Sequence, residues 1–178
     1  MVGPLEGFAD VWGTEFFKKV YTMDPTIAAS LPSMTYFGMC CGPVLSLIAE
    51  KTRSYLGTII GAGIIMTAGF LWMLFGQIAP AIVGCLLFVV GVCCAYQIVA
   101  IYKASTYVPE DVSGLTTAVA NMIIMIFGYV FHAAIGKVVS MTGGINSAHA
   151  FIYGISVIPC ATFLGTLGFI VIAKTKAD

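Results

Sequence analysis

Two acidic residues near the start of the chain are spaced to act together. Glu6 and Asp10 are four residues apart, so they share one face of a helix. Two carboxyl groups on one face can hold and pass on a proton, because mutual repulsion and lost hydration both favour the protonated form. Such a pair is suited to proton coupling. Glu6 could instead stay hydrated at the cytoplasmic interface, whereas Asp10 lies deeper in the predicted helix.

Other polar side chains interrupt apolar stretches and are candidates for lining a solute cavity. They are Trp12, Tyr36, Tyr96, Gln97 and Asn121. A buried amide needs a partner. Gln97 and Asn121 could therefore bind a solute or bridge two helices, and a bridge contributes about 0.6 kcal/mol on average. Trp12 and Tyr36 could instead belong to an interfacial aromatic belt.

Motifs for catalysis or metal binding are absent from the sequence. His132 is a lone histidine in an apolar segment, where it could pack between helices or relay protons. The sequence has no G-x-S-x-G, no H-E-x-x-H and no phosphate-binding loop. Its six cysteines form no C-x-x-C pair. We therefore expect no catalytic residues, no metal and no cofactor.

The composition predicts a protein that lies in lipid. Of the 178 residues, 60% are hydrophobic and 9% are charged, whereas soluble domains carry roughly 25% charged residues. This small number of charged residues cannot cover a water-exposed surface. The lipid bilayer is therefore the expected partner. The formal net charge is zero and there is no basic arm, so no nucleic-acid partner is expected.

Hydropathy predicts an all-α bundle that forms a single membrane domain over residues 1–178. A spanning helix needs about 20 apolar residues. Five segments meet this length, approximately 27–49, 55–76, 79–102, 113–139 and 149–173. A further helix over 3–20 contains acidic residues, and a charge at mid-bilayer costs at least ~2.5 kcal/mol. We expect that helix to face protein or a water-filled cavity, and we interpret it as shortened at its N-terminal end.

Local signals predict how these helices begin, bend and pack. Asp24 before Pro25 is typical of a helix N-cap followed by a first-turn proline. Pro43 should bend its helix. Glycines four residues apart, at 38 and 42 and again at 57 and 61, favour close helix packing.

A charge cluster lies between the first two predicted spans. The stretch "SLIAEKTR", residues 46–53, contains Glu50, Lys51 and Arg53. Lys103 follows on the same predicted side, and Lys174 and Lys176 lie near the end of the chain. The opposite side has Lys18, Lys19 and Lys137. By the positive-inside rule, residues 50–54, residues 103–112 and the C-terminus are predicted to be cytoplasmic.

The same stretch resembles the signature loop of the major facilitator superfamily, usually written G-x-x-x-D-R-x-x-R. Ser46 stands at the glycine position, Glu50 at the aspartate, Lys51 at the arginine and Arg53 near the second base. The match is degenerate, as in the second copy of that loop.

Two longer stretches extend the resemblance over nearly the whole chain. "GFADVWGTEFF" is similar to the seventh helix of that superfamily. The segment with Pro109, Gly114 and Asn121 is similar to the eleventh. The chain thus resembles helices seven to twelve, the C-terminal half of the fold, with the N-terminal six helices absent.

The resemblance implies a secondary transporter that moves a small solute by alternating access, with proton coupling. Glu6, Asp10, Trp12, Tyr36, Tyr96, Gln97 and Asn121 would line the cavity, and Ser46, Glu50, Lys51 and Arg53 would form a cytoplasmic gating loop. The expected location is a bacterial inner membrane. The partner would be an N-terminal half or a second copy, because one half lacks the other wall of the cavity. A non-transporting membrane interaction protein and an intramembrane enzyme are the alternatives.

Overall fold

The computed structural model describes residues 1–76 and 78–175, and every regular element in that part of the chain is a helix. In chain order the elements are α1 (Val2–Gly7), a π-helical segment (Phe8–Trp12), α2 (Gly13–Val20), α3 (Pro25–Ser30), α4 (Ser33–Cys40), α5 (Gly42–Thr52), α6 (Tyr55–Phe75), α7 (Pro80–Cys94), α8 (Tyr96–Ser105), α9 (Glu110–Met141) and α10 (Ala148–Thr175).

Four of the helical stretches are long and apolar enough to cross a membrane. They are Tyr55–Phe75, Pro80–Ser105, Glu110–Met141 and Ala148–Thr175. A fifth is added if Pro25–Cys40 and Gly42–Thr52 count as one bent span. The prediction of an all-helical chain with several helices able to span a membrane is confirmed.

The first helix is continuous and supplies much of the aromatic core. α1, the π segment and α2 follow one another with helical backbone angles at Phe8 and Gly13. Phe8, Phe16 and Phe17 are buried. The Phe8 ring meets Phe70 of α6 edge to face, with 5.2 Å between centroids. This packing holds the acidic helix against the bundle.

The predicted span 27–49 is bent as the sequence indicated. The helix breaks at Cys41 (φ −84°, ψ 8°), just before Pro43, and the two parts meet at 41°. At its start, the Thr26 N–H donates to Asp24 Oδ1 at 2.9 Å. The N-cap prediction is therefore confirmed.

Close helix packing depends on some glycines and not on others. A Cβ added at Gly38 would lie 2.1 Å from the Phe88 carbonyl oxygen, and one added at Gly91 would lie 2.1 Å from the Thr35 carbonyl oxygen. The backbones of α4 and α7 are therefore in direct contact. In contrast, Gly61 has nothing within 4 Å of an added Cβ, so the pattern at 57 and 61 does not form a packing face.

The longest helix, α9, is also the least covered. Only 6% of its most apolar stretch is buried, compared with 50% of the corresponding stretch of α6. α9 packs against α1, α8 and α10, and many of its large apolar side chains are exposed, including Met122, Ile126 and Val130. An apolar helix with this much open surface is suited to lipid or to another membrane-spanning partner.

Candidate functional site

An acid-lined cavity of about 260 Å³ lies between the first helix and α9. Both acids singled out in the sequence, Glu6 and Asp10, contribute to its wall. The full set of lining residues is Glu6, Gly7, Asp10, Val11, Met125, Gly128, Tyr129 and His132. Carboxyl, phenol and imidazole groups therefore meet in one groove with apolar sides.

Small residues bring the two walls of this cavity together. A Cβ added at Gly3 would lie 2.8 Å from the backbone nitrogen of Gly128, and one added at Gly128 would lie 3.2 Å from Glu6 Oε2. α1 thus rests directly on the backbone of α9. Glycine at these positions lets the Glu6 carboxyl group reach the groove.

Asp10 sits in a π-helical turn. The Gly13 N–H bonds to the Phe8 carbonyl, five residues earlier, which is the spacing of a π-helix. Such turns are rare and are frequent at functional sites. Sequence analysis did not predict this turn. Gly7 and Gly13, one on each side, are only a weak signal of it, because glycine lowers helix propensity.

Tyr36 of α4 holds the Asp10 carboxylate. The Tyr36 hydroxyl donates a hydrogen bond to Asp10 Oδ1. The two residues were predicted separately as cavity candidates, and the structure brings them together. Tyr36 therefore orients Asp10 without itself lining the cavity.

Trp12 and His132 form a second pair at the same place. Trp12 Nε1 lies 3.1 Å from His132 Nδ1, and the ring centroids are 5.6 Å apart. His132 lines the cavity, and Trp12 also packs against Phe151 of α10. The pair connects the π segment to α9. Its residues are 120 positions apart, so no local pattern could have joined them.

Three other predicted cavity residues lie elsewhere. Tyr96 is buried, and its hydroxyl accepts a hydrogen bond from the Val2 N–H at 3.2 Å, which anchors the start of α1. Gln97 is partly buried on α8, and Asn121 is exposed on α9. None of the three lines the acid-lined cavity, and their role in solute binding stays a prediction.

Thr35 was missed in the sequence analysis. Its side chain is 3% exposed, and Oγ1 has no hydrogen-bond partner among the residues that the structure describes. Thr35 lines a narrow crevice together with Glu6 and Tyr36. An unpaired hydroxyl therefore lies beside the acidic network, and threonine gives no sequence signal that marks it.

The stretch predicted as a gating loop is mostly helical, because Ser46, Glu50 and Lys51 lie within α5 and Arg53 caps its C-terminal end. The turn itself is confined to Arg53 and Ser54, before α6 begins at Tyr55. Glu50, Lys51 and Arg53 are exposed, and Arg53 ends the helix with φ 52°. Within residues 1–76 and 78–175 the salt bridge found is Lys18–Glu15, so the loop charges form no ion pair there. Ser46 and Glu50 line a second cavity of about 220 Å³.

Lys103 lies at the same end of the bundle as this loop. Its Nζ is 5.6 Å from the centroid of the Tyr55 ring and 5.1 Å from that of Tyr107. Both are cation–π contacts. Lys174 is exposed near the end of α10, and the cytoplasmic location of these lysines stays a prediction. Lys176 lies outside the described residues.

Metal ligands are not clustered in the described parts of the chain. Among those residues, no three histidine, cysteine, aspartate or glutamate side chains are placed to hold one ion. All six cysteines are free thiols. The acid-lined cavity gathers two carboxyl groups, a phenol and an imidazole, which could bind a solute or a proton.

Comparison with known proteins gives no match to a family model, to a curated protein or to a solved structure.

Proposed function

We propose that this chain is one six-helix half of a secondary transporter of the major facilitator type, which moves a small solute with protons by alternating access. One observation carries the proposal. Glu6 and Asp10 line a cavity on the side of α9, the helix that the rest of the chain leaves almost uncovered. A carboxylate at membrane depth is costly and is typical of an ion or substrate pathway.

The exposed surface of α9 supports the proposal that a second half completes the wall of the cavity. In major facilitator transporters the substrate site lies near mid-membrane at the interface between repeats. The acids of this chain line a groove beside the exposed α9, which supports such an interface. A second half placed against α9 would enclose the cavity, and the bent α4–α5 pair and the π turn are features that allow helices to move.

The gating loop supports the same arrangement. Glu50 at a helix end could dock onto a base or a helix N-terminus of the other half. It has no ion-pair partner among the described residues. In the transporter we propose, that partner belongs to the other half, and the contact closes the cytoplasmic side.

The test is reconstitution into proteoliposomes that contain a trapped pH-sensitive dye. Residues 1–178 are inserted alone, or together with a separately supplied N-terminal six-helix half. The probe is a mixture of sugars, amino acids, small amines and small organic acids. Solute-dependent proton entry is expected with both halves and not with the single chain.

Asp10→Asn should abolish this proton entry without preventing insertion. Glu15→Gln is the matched control, because Glu15 is a carboxylate on the same helix that pairs with Lys18 and does not line the cavity. Saturable, gradient-driven uptake by a monomer of residues 1–178 would contradict the proposal. A crosslinked dimer through the Glu50-bearing face would instead identify a second copy as the other half.

A further inference from the structure

The hydrogen bond between Trp12 and His132 fixes the protonation state of the histidine. The indole N–H of tryptophan can only donate. At 3.1 Å, Nδ1 of His132 must therefore accept with its lone pair. The ring is then neutral and carries its hydrogen on Nε2.

A proton and the indole N–H compete for the same nitrogen. An imidazolium ring donates from both nitrogens, so it cannot accept the bond from Trp12. We propose that His132 is a proton-binding site of this chain and that Trp12 is released when the proton binds. The role of this site in coupled transport rests on the proposed function, but the competition for Nδ1 does not.

His132 shares its cavity with two carboxyl groups, Glu6 and Asp10. The bond from the Trp12 indole N–H requires the neutral ring. On α10, the residue that packs against Trp12 is the uncharged Phe151, and the two ring centroids are 6.3 Å apart. The titratable side chains that share the cavity with His132 are Glu6 of α1, Asp10 of the π segment and Tyr129 of α9. Tyr36 of α4 is bonded to Asp10.

Release of Trp12 would affect the helical turn that carries Asp10. Trp12 is held between His132 and Phe151, and it packs so closely on α9 that a Cβ added at Gly136 would lie 3.0 Å from its ring. Trp12 ends the π segment that carries Asp10. A proton on His132 therefore loosens the attachment of the Asp10-bearing turn to α9.

Tryptophan fluorescence tests the competition without any transport measurement. The chain has two tryptophans, and Trp72→Phe leaves Trp12 as the reporter in the purified chain. We expect Trp12 emission to change as the pH passes through the range of about 5 to 8 in which histidine titrates. Adding His132→Asn should abolish the change. The asparagine oxygen can still accept from the indole, but the amide binds no proton in this range.

Absence of a pH-dependent change in the Trp72→Phe protein would overturn the proposal. The same change persisting in the His132→Asn variant would do so as well. Either result concerns proton binding at His132 alone. A reconstituted pair of halves that moves no solute would refute the proposed function and leave the fluorescence result unaffected.

Nitrogen NMR provides a second measurement that keeps the site intact. The chain has two histidines, and His149→Gln leaves His132 as the labelled ring. At alkaline pH the Nε2–H tautomer is expected, and Trp12→Phe should allow the Nδ1–H tautomer to appear. A predominant Nδ1–H tautomer in the His149→Gln protein would contradict the bond on which the proposal depends.

Discussion

Replacing Gly38 by alanine is expected to separate two helices that touch through their backbones. The new Cβ would lie 2.1 Å from the Phe88 carbonyl oxygen and 2.8 Å from the Val92 nitrogen. Both are backbone atoms of α7, so no side-chain rotation can relieve the clash. Restoring a separation of 3.0 Å requires α4 to move away by about 1 Å.

The energetic cost follows from this displacement. Insertion of a methyl group into a well-packed interface typically costs 1–3 kcal/mol, and we expect Gly38→Ala to lie near the upper end, about 2–3 kcal/mol. The reason is that the neighbours cannot adapt and that contacts along the whole α4–α7 interface are loosened. Alanine favours the helix over glycine by up to about 1 kcal/mol, which offsets only part of this cost.

The assay is reversible unfolding of the purified protein in mixed micelles, with helicity as the signal. Gly61→Ala is the matched control, because it is the same substitution in a membrane-spanning helix with nothing within 4 Å of the new methyl group. We expect that variant to be as stable as the parent or slightly more stable. Equal stability of the Gly38→Ala and Gly61→Ala proteins would show that α4 and α7 are not in backbone contact.

Two further predictions concern the ends of the bundle. Tyr21→Phe should lower the free energy of unfolding by about 1 kcal/mol, since the Tyr21 hydroxyl lies 2.6 Å from the Met73 carbonyl oxygen and 2.8 Å from that of Gly76. The control is Tyr153→Phe at an exposed position, which should change the free energy of unfolding by less than about 0.5 kcal/mol. Equal effects of the two substitutions would refute a stabilising hydrogen bond from the Tyr21 hydroxyl. In a cysteine-free background, a membrane-impermeant thiol reagent should label Ser54→Cys from the cytoplasmic side and Thr26→Cys from the opposite side. The reason is that basic residues concentrate near Ser54. Labelling of Ser54→Cys from outside would contradict the predicted topology.

Features set by short stretches of sequence could be predicted, because one or two residues determine them. The helical spans follow from hydropathy, the bend near Cys41 from Pro43, and the start of α3 from Asp24. The contact of Gly38 with α7 also agreed with the spacing of small residues. The same spacing at 57 and 61 led to no contact, because a glycine pattern does not say whether another helix faces it.

The site could be predicted only as a set of separate candidates. Glu6 and Asp10 were recognised because four residues form one helical turn. The pairing of Trp12 with His132 and of Asp10 with Tyr36 depends on which helices are neighbours, and hydropathy does not determine that. The outward position of Asn121 is of the same kind, since an apolar helix has no polar face to indicate its orientation.

The π turn at Phe8–Trp12 also affects which changes in chain length the protein can accept. A π turn contains one residue more than an α turn, so removing one residue there converts it to ordinary α-helix. The flanking segments then keep their rotational setting, and Phe16 and Phe17 still face the core. A deletion elsewhere in the first helix would rotate everything beyond it by about 100° and turn those rings outward. Relatives of this protein that differ by one residue in the first helix should therefore carry the gap between positions 8 and 12, at the expense of the turn that presents Asp10.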